Sequence, residues 1–223
     1  MYTYILKENN TKNIPHWSTI YKFFNKLIKY DVIKSTYTAT INHYRNKKAN
    51  CNNNIYITDT TLIANKYGID YISYNPQLLK HKTTKISTIS DKAGKTLDVK
   101  IFNSNDNDSK ILNTQLNNIS FFKTNNKNIL LGDAAYDSNI IRSKLKEINF
   151  GCLITPKNKR NCKNKEILNN YKLSKESKKK LTHRIKIEHS FAHLKAYKRI
   201  NVRYDKYGYI FYNYILLAII DHI

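Results

Sequence analysis

Glycine is scarce in this chain, five residues in 223, and no two lie close enough to build a phosphate-cradling loop. That argues against nucleotide hydrolysis, which depends on such loops. Cysteine is also sparse. Cys51, Cys152 and Cys162 are odd in number and irregularly spaced, and match neither a disulfide framework nor a zinc-binding C-x2-C unit. A reducing, intracellular setting is expected, and no signal peptide is visible. Long apolar runs are missing too. The longest, IFYNYILLAII at residues 210–220, is about half of the ~20 residues that span a bilayer and reads as a core helix. Acidic residues are short against the cations: 16 Asp and Glu face 39 Lys and Arg, giving a formal net charge of +23. Such an excess speaks about partners, and a polyanion is the partner it fits.

The rest is ordinary for a folded protein. Hydrophobic residues make up 41%, enough to bury a core in one α/β domain with a small appendage. The abundance of Asn, Lys, Ile and Tyr has the look of AT-rich coding, which explains part of the charge. It does not explain clustering: residues 142–206 hold 20 Lys and Arg but only 5 acids.

Pattern divides the chain near residue 50. Residues 15–45 carry apolar positions at helical spacing (Trp17, Tyr21, Phe24, Leu27, Ile28) with Pro15 near the start, which predicts two helices. Residues 1–50 are thus a helical segment, either a reduced DNA-binding head or a helical cap. After the polar stretch NKKANCNNN, IYITDTTLIA reads as a strand with Asp59 in or near its end. KTTKISTISDKAGKTLDVKIFN reads as a hairpin turning at residues 91–94. A helix capped by Asn107 or Asp108 follows, then the strand ILLG, a helix capped by Ser138, and the short strand GCLI. Residues 157–180 are Asn- and Lys-rich and read as a basic loop. LTHRIKIEHSFAHLKAYKRI predicts one long helix, and the apolar run the last. Strands interleaved with helices after an antiparallel hairpin make a mixed α/β sheet.

Three of the few acids stand out. Asp59 and Asp133 each follow an apolar strand, where sites gather in open α/β sheets. Two such carboxylates suit a hard cation; singly, each is equally suited to capping a turn. Glu188 shares a helical stripe with Arg184 and Lys195, at i, i+4 and i+11, and Ile187, Phe191 and Leu194 form the adjacent docking stripe. In NILLGDAAYDS, Tyr136 looks exposed and suits either packing against the sheet edge or contact with DNA, and Asp137 looks like helix-entry chemistry with Ser138. His189 and His193 have i, i+4 spacing but lack the Glu of the zinc-protease helix, so packing is the expectation.

Together these blocks resemble the DDE transposases of insertion-sequence type, from about Asn54 to the C-terminus. DTT at Asp59 looks like the first-acid strand, KHKTTKIS…DKAG the following hairpin, and LLGDAAYDS the second-acid block. Arg184, Glu188 and Lys195 fit R-x3-E-x6-K, and RINVRYDKYGYIFYNYILLA the closing segment. Leu181 departs from the signature, which commonly carries Tyr there.

The resemblance implies an RNase H-like mixed sheet flanked by helices, spanning residues 51–223. It implies metal-dependent DNA cleavage and strand transfer, with Asp59, Asp133 and Glu188 as catalytic residues holding Mg²⁺ or Mn²⁺, two ions in all. It assigns Arg184 and Lys195 to the DNA backbone near the scissile phosphate. Residues 157–180 with Lys198, Arg199 and Arg203 are expected on flanking duplex. Partners are double-stranded transposon ends and target DNA, met as a dimer or higher assembly in the DNA-containing compartment, away from membranes. A relative that only binds DNA, and a nuclease without strand transfer, are the alternatives.

Overall fold

The computed structural model describes residues 15–47, 55–74, 82–117, 128–154 and 174–223. Seven strands form one sheet: β1 (Ile55–Asn65), β2 (Ser73–Tyr74), β3 (Lys82–Asp91), β4 (Thr96–Asn103), β5 (Ile129–Gly132), β6 (Gly151–Ile154) and β7 (Val202–Arg203). The helices are α1 (Trp17–Lys29), α2 (Val32–Lys47), α3 (Asp108–Leu116), α4 (Asn139–Glu147), α5 (Lys175–Leu181), α6 (Ile185–Ala196), α7 (Lys198–Asn201) and α8 (Gly208–His222).

Strand order β4-β3-β1-β5-β6 runs across the sheet, antiparallel through β4, β3 and β1, then parallel through β5 and β6. This is the expected mixed sheet with helices packed on it. The hairpin β3–β4 turns where the sequence places it, with Gly94 N–H bonded to Asp91 O. β5 and β6 are short and apolar, and Leu130, Leu131 and Ile154 are buried in the core.

β1 is the central strand, and its second edge is shared. β5 pairs with its start, Ile55–Ile57, and β7 with its end, Ala64–Asn65. Between them, residues 58–63 have no strand partner on that edge among the described residues. Asp59 therefore lies in mid-strand, where the sheet opens, rather than at the strand's end.

Side-chain caps fall where local sequence puts them. Asn107 accepts from Ser109 N–H to start α3, and Ser138 accepts from Ile141 N–H to start α4. Two helical expectations change. The last part of the presumed basic loop is α5, capped by Ser174, while residues 155–173 lie outside the described ones. The single long helix is broken: a 3₁₀ turn (Thr182–Arg184) precedes α6, and extended Tyr197 separates α6 from α7.

α1 and α2 share the core of the sheet domain. Phe24 stacks on Tyr214 with centroids 4.3 Å apart, Ile33 and Ile41 are buried, and Tyr37 donates to Leu97 O. The apolar C-terminal run is α8, a buried core helix, and none of the described helices is long and apolar enough to cross a membrane.

One core-facing acid gives a pH signature. Half-buried Asp98 on β4 accepts from Gln115 Nε2 at 2.9 Å. Removal from water pushes its carboxyl up, and this outweighs the downward pull of Gln115, Lys100 and the Val99 N–H. The folded state therefore holds this proton more tightly than the unfolded chain, where Asp titrates near ~3.9. The associated stability is fully present below that value and is lost as pH rises through the raised folded value. Asp98→Asn is expected to raise the thermal midpoint at pH 7 and to flatten its pH dependence above about pH 4. Thermal melts across pH test this, and an unchanged profile in the variant refutes it.

Candidate active site

Register explains why two acids 74 positions apart meet. Parallel pairing sets Tyr56 beside Leu130 and Ile57 beside Leu131. Asp59 and Asp133 each stand two residues beyond the last pair, Ile57 and Leu131, where the two strands part. Each carboxylate is held by a local backbone donor: Thr60 N–H to Asp59 Oδ1 at 2.8 Å, and Ala135 N–H to Asp133 Oδ1 at 2.7 Å. The second oxygens turn to a common point. Arg184 Nη2 stands 4.0 Å from Asp59 Oδ2 and 4.0 Å from Asp133 Oδ2. Twice 4.0 Å therefore bounds the separation of these two oxygens.

Burial pushes the Asp59 carboxyl up to about 6; the Thr60 N–H and Arg184 pull it down, while Asp133 and Asp108 push it further up. Of the two caps the sequence offers for α3, Asn107 is the one used. Asp108 Oδ1 instead accepts from Thr60 Oγ1 (3.2 Å) and from Lys85 Nζ (2.9 Å). Lys85 is itself buried and also donates to Asp106 O. A Lys85–Asp108–Thr60 chain thus supports the strand segment carrying Asp59. The only sequence signal for it was the Lys of the hairpin block, whose partner is 23 residues away.

Of its two alternatives, Tyr136 takes packing against the sheet. It is 1% exposed, not on the surface. Its ring lies over Gly132, where a Cβ would come within 3.2 Å of Tyr136 Cδ2. Its hydroxyl faces the acids, and burial together with Asp59 and Asp108 keeps it protonated. Asp137 is a correction: Ser138 caps α4, and Asp137 Oδ1 takes Arg142 Nε and Nη2 at 2.9 and 2.7 Å.

Glu188 is exposed in the first turn of α6, four residues beyond Arg184, and makes no ion pair among the described residues. No three His, Cys, Asp or Glu side chains among the described residues gather closely enough to hold an ion. The structure therefore joins Asp59 and Asp133 to Arg184, and leaves Glu188 on the exposed face of α6. The apolar stripe reads correctly: Ile187, Phe191 and Leu194 are buried.

The outlying cations differ in fate. Lys198 is exposed, and Lys195 half-buried, with burial lowering its pKa. Arg199 donates to both oxygens of Asp205 (3.2 and 2.5 Å) and lies 4.0 Å over the Tyr214 ring. Arg203 is 0% exposed and cannot touch duplex DNA. Its five N–H donors are consumed inside the fold, two by neighbouring carbonyls at Asp205 and Lys206 and three by Asp70 and Thr84, far away in sequence.

The donor set is all oxygen, with one free oxygen per carboxylate on the shared side, which suits a hard divalent cation.

The chain's residues 52–220 match the family described as "Transposase DDE domain". No curated protein matches it significantly. Solved structures similar to it include a Mos1 transposase paired-end complex with left transposon end (13% identity, 84% of this chain and 67% of that one, TM-score 0.34). Another is the catalytic domain of Mos1 mariner transposase (13% identity, 72% and 89%, TM-score 0.33). With the family match spanning most of its length, the chain belongs to the DDE-domain transposases.

Proposed function

We propose that this chain cleaves and joins DNA strands at the Asp59–Asp133 pair, using Mg²⁺ or Mn²⁺. The observation that carries this is the convergence of both Oδ2 atoms on one point, each carboxylate being fixed through Oδ1 by its own backbone donor. Asp59 and Asp133 hold the cation, and Glu188 joins them from α6. When bound, a divalent ion neutralises charge developing at phosphorus. Arg184, beside both acids, offers planar N–H donors to the phosphate drawn there. The Lys85–Asp108–Thr60 chain and the Tyr136 ring packed over Gly132 keep the floor of the site rigid.

The surroundings favour a DNA track. α5 presents Lys175, Lys178 and Lys179 to solvent and leads directly into Arg184. Lys195 in the last turn of α6 and Lys198 at the start of α7 continue it, and a paired assembly on transposon ends belongs to the same reading. An intact acid pair weighs against a relative that only binds DNA.

The test is nicking of supercoiled plasmid with Mg²⁺ or Mn²⁺ and with chelator, followed by a search for joined products. Metal-dependent nicks and joined strands are expected. Nicks without joining would leave a nuclease instead. Lys198→Ala is expected to weaken duplex binding uniformly across sequences and to reduce the slope of log affinity against log salt by about 1. An unchanged slope removes Lys198 from the track.

A further inference from the structure

Six of the eight exposed tyrosines among the described residues fall in two short segments, 67–74 and 204–209. The segments are tied into one surface. Lys66 N–H donates to Arg203 O (2.8 Å), Ile69 N–H to Lys206 O (3.0 Å), and Gly208 N–H to Asp70 Oδ2 (2.8 Å). Arg203 clamps Asp70 from beneath. Tyr67 and Tyr204 face each other at 6.1 Å, and Tyr207 stacks on Tyr209 at 5.7 Å. The Tyr71 ring lies so close to Gly208 that a Cβ there would meet Tyr71 Cδ2 at 2.5 Å. Tyr71 itself is held at φ 51, a conformation that bulky residues rarely adopt.

The charge on this face has one sign. Lys66, Lys82 and Lys206 are exposed, and Lys82 and Lys206 lie 5.9 and 5.5 Å from the Tyr74 and Tyr207 ring centres. The two acids present are spent: Asp70 on Arg203 and Gly208, and Asp205, 5% exposed, on Arg199. Rigid aromatic rings among unpaired cations suit a polyanion that offers flat faces. Duplex DNA hides its base faces; unpaired nucleotides do not.

Two elements run from the acids to this surface. β1 leads from Asp59 to Asn65, and α6 from the Arg184 turn towards β7. Six strand residues span about 20 Å, the length of about six nucleotides along one strand. We propose that this face is a stacking platform for unpaired nucleotides of the DNA whose reacting phosphate lies at Asp59 and Asp133. The inference rests on the transposase reading of that site.

Fluorescence anisotropy on the full chain without divalent metal tests it, using a labelled duplex with an eight-nucleotide dT overhang and a blunt duplex of equal mass. The unaltered chain is expected to bind the overhang about ten-fold tighter, the scale of one stacked base. Tyr67→Ser with Tyr204→Ser should erase that preference, leave blunt-duplex binding within about two-fold, and leave plasmid nicking unchanged. Equal binding of both probes by the unaltered chain overturns the platform, as does equal weakening of both by the variant, or a variant effect confined to self-association. An overhang preference in a chain that never nicks DNA leaves the platform standing and removes the transposase reading instead.

Discussion

Asp59→Asn is expected to lower metal-dependent nicking by at least ~10³-fold, the scale of several kcal/mol of lost charge stabilisation, with duplex binding retained. The substitution keeps the shape and the Oδ1 acceptor for Thr60 N–H, but removes the anion facing Arg184. The same change should leave the thermal midpoint unchanged or raise it. Burial and the neighbouring Asp133 and Asp108 push this carboxyl up to about 6, so its charge opposes folding where it stands, as at many sites where function outranks stability. Asp133→Asn should match it in activity, since both acids serve one point. The paired readout separates lost chemistry from misfolding: a stable Asp59→Asn protein that nicks near the normal rate would remove Asp59 from the site.

Arg203→Ala is expected to destabilise the fold by about 3–5 kcal/mol, the usual cost of breaking a buried ionic network. Arg203 Nε donates to Asp205 O (3.1 Å), Nη1 to Asp70 O (2.7 Å) and Thr84 Oγ1 (3.1 Å), and Nη2 to the Asp70 carboxylate and Lys206 O (3.4 Å). Every N–H of the guanidinium has a partner. Truncation leaves three carbonyls and a hydroxyl without a donor, plus a cavity beneath the Asp70 segment. Arg203→Lys should recover only part of the loss, because three donors on a point charge cannot replace a five-donor fork. In a protein of this size the Ala variant should melt roughly 10 °C lower. A normal melting point combined with weaker DNA binding would restore Arg203 to the DNA-contacting set.

Local rules made much of this molecule legible. Ser138 and Asn107 cap helices through bonds spanning two or three residues, so the sequence window that shows the cap also holds its partner. The β3–β4 hairpin is legible for the same reason. α5 was missed because its lysines hide any helical period, and its main signal is Ser174 at the cap. Tyr136 is open from sequence because a tyrosine amid polar neighbours looks exposed; the tertiary packing that lays its ring over Gly132 buries it.

By itself, then, the sequence determined the chemistry available: a cationic chain, few acids, and two of them placed directly on apolar strands. Those are properties of composition and of neighbours a few residues apart. The tertiary structure decided which groups meet. Parallel pairing of β1 with β5 ended two residues before Asp59 and Asp133, and the break before α6 placed Arg184 4.0 Å from both. It also took Arg203 out of solvent, through acceptors as far as 133 residues away, and so assembled two tyrosine-bearing segments into one face. Burial of a charged group depends on where distant acceptors end up, and no local pattern carries that information.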